Sequence, residues 1–152
     1  TQSKANLVAH NTVWKCPTPL KVLQPSEPLS PDEQNRFINN IFAEYLFISP
    51  IPKNSGVETT HNGWFQTRQD IRLTKENLKG MLDENLGSSH EPIRFRGKNP
   101  EFSAPDKLDF RLKKVSPLID MGVEVKEASS DRDGARRPCG KAPDIGAYEN
   151  CN

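Results

Sequence analysis

The chain has 152 residues with 21 basic and 20 acidic side chains, a formal charge of +1: one ordinary domain without the charge excess that draws nucleic acid or an anionic membrane. Leu, Ile, Val and Phe supply 34 residues, roughly 22% and barely above the level of about 20% at which chains stay disordered, so the core is small or shared. No apolar run approaches the roughly 18 residues that span a bilayer, and "TQSKANLVAH" has neither an initiator Met nor a hydrophobic signal region, so Thr1 reads as a processed or cloned terminus.

The first candidate strand lies around Leu7 to Trp14. It contains "AHNTVW", which has two partners further on, "INNIFA" and "THNGWF". Each places an Asn before a small or β-branched residue and then a large apolar one: Asn11-Thr12-Val13, Asn40-Ile41-Phe42 and Asn62-Gly63-Trp64. The asparagines are 29 and 22 residues apart. A spacing in the low twenties, with short strands and polar corners, suits the stacked coils of a parallel β-helix. At a sharp corner an Asn side chain tolerates unusual backbone angles and hydrogen-bonds the adjacent coil, so stacked copies satisfy groups that a buried turn would strand. The longer first interval holds "PTPLKVLQPSEPLSPDEQ", which reads as an extended loop inserted near residues 17–34. Its "SPDE" is a capping-box match. The following "NRFINNIFAEYLFIS" lacks a helical stripe and reads as strand.

Only one segment reads as helix. In "LTKENLKGMLDENLG", Thr74 is positioned to cap, Leu78, Met81, Leu82 and Leu86 share one face, and Gly87 ends the turn. This predicts a short helix from Thr74 to Leu86 packed outside the strands. The 13 prolines spread along the chain exclude one long helical domain.

In the C-terminal third, Phe102, Phe110, Leu112, Leu118 and Ile119 form a broken apolar series. Pro105 and Pro117 punctuate strand ends, Gly122 supplies a turn, and "DIGAYE" offers Ile145 and Tyr148 as packing anchors. The succession "NNIFA", "HNGWFQT", the helix, "SSHEP", "NPEFSAPDKLDFRLKKVSPLIDMG" and "DRDGARRPCGKAPDIGAYE" resembles the ending of many bacterial right-handed parallel β-helix proteins of the pectate-lyase-like superfamily, including those labelled choice-of-anchor proteins. The resemblance runs roughly from Asn35 to Glu149 and is strongest after Asn99. It implies an all-β fold: a right-handed parallel β-helix of two or three coils with one short α-helix and a C-terminal cap. On that reading residues 1–72 form coils, 73–90 a helical insertion and 91–152 the final coil and cap. Relatives usually carry many more coils ahead of this ending.

Catalytic signals are sparse. His10, His61 and His90 are far apart, and no phosphate loop, nucleophile motif or zinc-type His pair accompanies them. Asp131, Asp133 and Gly134 are spaced like the opening of a calcium loop, but the later Glu is missing and a solvated Asp-Gly turn is the better reading; calcium is the only cofactor suggested. Superfamily members that cleave acidic polysaccharides resemble one another in using Lys, Arg, His, Tyr or carboxylates beside the stacked strands. His61, Trp64 and Arg68 are the corresponding substrate-binding candidates: an imidazole for proton transfer, an aromatic face for a sugar and a cation for a uronate. The alternatives are a corner role for His61 and core packing for Trp64.

Two functions follow. One is the C-terminal segment of a secreted carbohydrate-active protein, a polysaccharide lyase or glycoside hydrolase, with a polysaccharide as partner. The other is a noncatalytic cell-surface or adhesive protein in which this segment is a structural cap. Either implies a secreted, periplasmic or cell-surface location and a second polypeptide carrying the preceding coils. Its contacts would be made mostly by residues before Cys16, because the Leu7 to Trp14 strand has no strand ahead of it. Neither nucleic acid nor a membrane span is expected. With three cysteines, secretion would favour a Cys139 to Cys151 bridge, and a reducing compartment three free thiols.

Overall fold

The three asparagine-containing strings fold alike in the computed structural model, which describes residues 5–22, 27, 29–45, 55–65 and 97–151. Each is split by one residue in the left-handed region, with φ of 55° at His10, 56° at Asn39 and 54° at His61. Such angles are uncommon outside glycine and turn the chain sharply. The strands before the bend are β1 (Leu7–Ala9), β3 (Asn35–Ile38) and β5 (Val57–Thr60); those after it are β2 (Thr12–Trp14), β4 (Ile41–Ala43) and β6 (Gly63–Phe65). They pair in parallel as two sheets, ordered β1-β3-β5 and β2-β4-β6. Thr12 lies opposite Ile41, and Ile41 opposite Gly63, so both intervals are absorbed without a register slip. Between β2 and β3, Ser30 and Glu33 form the capping box.

The asparagines after the bends form a ladder. Oδ1 of Asn40 accepts from the main-chain N–H and Nδ2 of Asn11, each at 3.0 Å. Oδ1 of Asn62 does the same for Asn40, each at 2.8 Å. Nδ2 of Asn40 also donates to the carbonyl of Val8, and that of Asn62 to the carbonyl of Phe37. Asn40 and Asn62 are wholly buried, and these bonds remove the cost of burying an amide.

Alternation along β4 sends side chains to two cores. Phe42 points inward, stacked on Trp64 at 4.3 Å between ring centroids, with Leu20 and Tyr45 alongside. Ile41 and Ala43 point outward, against Phe102, Leu112, Leu118 and Ile145. Phe102 and Leu112 belong to an antiparallel pair, β7 (Phe102–Ala104) and β8 (Asp109–Leu112), linked through a turn that begins at Pro105. Residues 116–150 run on mostly as turns across the outer face. Glycine is required where this segment comes closest: a Cβ on Gly146, at φ +107°, would lie 2.5 Å from Cδ1 of Ile41, and one on Gly122 2.7 Å from the carbonyl of Pro143.

The expected right-handed parallel β-helix is not what these strands build. They form two separate parallel sheets of three short strands and an antiparallel pair, with no closed or solenoid β-helix among the described residues. The physical reason lies in the ending. From Pro100 the chain reverses into a β7–β8 hairpin instead of adding a final coil, and residues 116–150 do not cap the stack. They lie along its side, where Ala147 N–H reaches Thr12, Gly146 N–H reaches Asn39, and the Leu118 side chain packs over Gly63. The predicted helix from Thr74 to Leu86 lies outside the described residues.

Cys139 and Cys151 are joined with Cα atoms 5.2 Å apart, and Cys16 is a free thiol. Closing so short a loop contributes about 2–3 kcal/mol in the chain-entropy account. Reduction under native conditions should lower the unfolding free energy by about that much, measured by urea titration. For the ladder, Asn40→Ala takes one of two donors from the buried Asn62 Oδ1 and leaves the Asn11 N–H without its acceptor and the Val8 carbonyl without the Asn40 amide, and should cost about 2–4 kcal/mol, whereas the exposed rung change Asn11→Ala should cost under about 1 kcal/mol. Equal shifts in the urea midpoint would show that burial of the rung is not what matters.

Candidate functional site

Two clusters of polar side chains stand out, one internal and one lining a pocket. The internal cluster ties the corner to the C-terminal segment. His10 is buried, its Nδ1 lying 3.1 Å from the Asp144 carbonyl and its Nε2 3.0 Å from Nδ2 of Asn39. The carbonyl requires a proton on Nδ1, which leaves Nε2 to accept from Asn39, so the ring is neutral. Asn39 in turn grips Val123, donating to its carbonyl at 2.7 Å and accepting its N–H at 3.0 Å. Desolvation, helped by the positive charge of Arg137, lowers the His10 pKa to about 4.

Below the imidazole, Arg137 is ion-paired with Glu149 at side-chain exposures of 2% and 1%. The guanidinium also donates to the carbonyls of Asp144 and Gly146. Glu149 accepts from the N–H groups of Asp144 and Cys139. Burial raises the Asp144 carboxyl to about 6, against the pull of the N–H groups of Asp120 and Asn150 that donate to it. Asp131, the first residue of the calcium-like string, accepts N–H bonds from Asp133, Ala135 and Glu149, and Asp133 pairs with Arg111. These carboxylates are spent on the segment's own turns. Among the described residues no group of three or more His, Cys, Asp or Glu side chains is placed to hold a metal.

The pocket lies where β2, β4 and β6 end against the start of the hairpin and encloses about 270 Å³. Trp14, Phe65 and Phe102 form apolar walls, and Glu44, Asn99, Glu101, Ser103 and Lys113 add polar groups. Asn99, Ser103 and Lys113 are exposed. Lys15 and Glu44, in equivalent left-handed positions at the ends of β2 and β4, are 4.0 Å apart. The Lys15 ammonium lies 3.9 Å from the Trp14 ring centre and 3.5 Å from Asp106. Glu101 pairs with Lys113 at 3.9 Å. Each pocket carboxylate therefore faces an ammonium.

Of the residues singled out from the sequence, neither His61 nor Trp64 lines this pocket. Trp64 is 2% exposed, inside the inner core, and among the described residues its Nε1 has no hydrogen-bond partner. It has no face to offer a sugar. His61 is at the corner, half-buried, with Nδ1 2.8 Å from Oγ1 of Thr60. Arg68 lies outside the described residues. The aromatic beside the polar pocket is Trp14 instead. A signal for it existed: the 29-residue interval from Asn11 to Asn40 also carries Lys15 onto Glu44. Comparison with protein-family models, curated proteins and solved structures found no match.

The internal cluster sets a pH dependence. A His10 pKa depressed from 6.5 to about 4 stabilises the fold fully above 6.5, and that stabilisation is lost as pH falls from 6.5 towards 4. Asp144, raised from 3.8 to about 6, takes up its proton first in the folded state and offsets part of the loss. His10→Gln keeps one donor and one acceptor without titrating, so it isolates the first effect. Between pH 7 and 4 the wild type should lose about 2–3 kcal/mol relative to this variant in urea titrations. A difference independent of pH would mean that His10 is not buried neutral.

Proposed function

We propose that this chain is a noncatalytic saccharide-binding module of a secreted or cell-surface protein that works beside a second polypeptide. The observation that carries the saccharide reading is the pocket, in which aromatic walls meet paired carboxylates and ammonium groups. Its volume of about 270 Å³ is just under the range of about 300–1,000 Å³ for drug-sized ligands and suits one ring-sized group. Trp14 supplies an apolar face for a pyranose, from which the half-exposed Lys15 would swing towards Glu44 and Asp106. Glu44 and Glu101 accept from sugar hydroxyls, and Lys113 faces a uronate carboxylate where one is present.

Binding is favoured over cleavage because the two carboxylates of the pocket, Glu44 and Glu101, are each engaged by an ammonium, at 4.0 and 3.9 Å, rather than left free for proton transfer. The Cys139–Cys151 bridge supports an oxidising compartment. The sequence resemblance after Asn99 agrees with a carbohydrate context. Among the described residues no helix is long and apolar enough to cross a membrane.

Isothermal titration against uronate-containing and neutral oligosaccharides tests the reading. Trp14→Ala should weaken binding at least about tenfold while leaving the far-ultraviolet spectrum unchanged, and Glu101→Gln should weaken it less. Incubation with the same polysaccharides should give no rise in the ultraviolet absorbance of unsaturated products. Saccharide binding that survives Trp14→Ala would place the site elsewhere, and a steady absorbance rise would make the protein a lyase.

A further inference from the structure

At the wall of the pocket an ammonium is already in place, and it is the chain's own. Lys15 Nζ lies 3.9 Å from the Trp14 ring centre, 4.0 Å from Glu44 and 3.5 Å from Asp106. The face of an indole beside a carboxylate is the setting that an ammonium seeks. The stack fixes where these groups stand. Lys15 and Glu44 are the left-handed residues that end β2 and β4, at φ of 53° and 54°, and their N–H groups donate to the carbonyls of Ala43 and Phe65. The Lys15 side chain is 54% exposed, so its hold on the site consists of surface ion pairs, which are worth little and exchange readily.

The rest of the cavity favours a cation too. Trp14 makes an edge contact with Phe110, 5.3 Å between ring centres, and Phe110 meets Phe102 in the same way at 5.4 Å. Two of the three aromatic walls are therefore braced against each other before any ligand arrives. Among the described residues that line the pocket, two carboxylates, Glu44 and Glu101, face one ammonium, that of Lys113. Lys113 stands 3.9 Å from Glu101 and Lys15 4.0 Å from Glu44, both too long for a hydrogen bond, so each carboxylate retains room for a donor. A net negative cavity with aromatic walls attracts a cation and turns away an anion.

We infer that the pocket selects a saccharide carrying a free amine. The inference rests on the saccharide reading and names the class of sugar. The sugar's ammonium takes the place of Lys15 between the Trp14 ring and Glu44, and its pyranose fills the cavity towards Phe65 and Phe102. The displaced Lys15 keeps Asp106, the nearer of its two carboxylates. Lys15 is thus a resident competitor whose own ammonium marks where the ligand's belongs. A uronate would meet Glu44 and Glu101 with Lys113 alone to offset them, and an N-acetyl group would remove the charge on which the exchange with Lys15 depends.

The test is isothermal titration of the full chain with the tetrasaccharides of glucosamine, N-acetylglucosamine, glucose and galacturonate, at a pH just below neutral where the amine is charged. The glucosamine tetrasaccharide should bind at least about tenfold more tightly than the other three. Glu44→Gln should bring it level with the glucose tetrasaccharide and leave binding of the latter unchanged. Lys15→Met removes the resident competitor and should tighten glucosamine binding about threefold or more. If any of the other three binds as tightly as glucosamine, the saccharide reading stands and the choice of an amine is overturned. Weaker glucosamine binding by Lys15→Met would make Lys15 a ligand contact and overturn the exchange. Tetralysine binding as tightly as the glucosamine tetrasaccharide would mean that any cation suffices and would overturn the sugar as its carrier. If none of the four tetrasaccharides binds, the saccharide reading falls and the inference with it.

Discussion

The fold depends on one interaction, the stacking of a buried asparagine immediately after a left-handed corner residue. The strands it joins have only three or four residues, too short to be stable as isolated pairs. The corner exposes main-chain groups that neither sheet can satisfy, and the amide of the next rung satisfies them: one oxygen takes a main-chain N–H and a side-chain N–H together. Two small sheets become one hydrogen-bonded unit through this bond. Because its inner rungs, Asn40 and Asn62, are buried and hydrogen-bonded, the ladder fixes register as well as stability.

That unit would still be poor in apolar contacts. β4 is buried on both faces: the inner one by the cluster around Phe42 and Trp64, and the outer one, among the described residues, by the C-terminal segment with Trp14 and Phe65 alongside. The outer face is covered by a C-terminal segment that brings few large apolar groups and many charges. Leu118 and Ile145 fill the space over Ile41, and the rest of the cover is held by main-chain bonds to Asp120, Asp131, Asp144 and Glu149, with Arg137 buried among them. A low content of Leu, Ile, Val and Phe is compatible with an ordered fold here because satisfied polar groups occupy space that apolar side chains fill elsewhere. Such an arrangement resists loss of one partner poorly: removing either Arg137 or Glu149 would leave the other charge buried.

The repeat was legible in the sequence because asparagine, corner and large apolar residue recur in a fixed order, and the insertion between residues 17 and 34 changes the interval without changing that order. The strand break at Pro105 was also visible locally, and the Cys139–Cys151 bridge was one of two readings open for the thiols. The packing of the ending was not. Asp120 binds the N–H groups of Lys141 and Ala142, and His10 meets Asp144 across most of the chain; no spacing rule links such partners. The same apolar series that reads as a final coil also reads as a hairpin and a lateral cover, and the choice is made by which face of β4 lacks a partner. For Trp64 the sequence left a sugar platform and core packing both open, and the register places it opposite Phe42 in the inner core.

Register also explains why Trp14 rather than Trp64 borders the polar pocket. Val13, Phe42 and Trp64 share one rung and one face, while Trp14, Ala43 and Phe65 occupy the next rung on the other face. Of these three, Ala43 in the centre is small, and the gap it leaves between Trp14 and Phe65 is closed on the far side by Phe102 and left polar at Glu44 and Glu101.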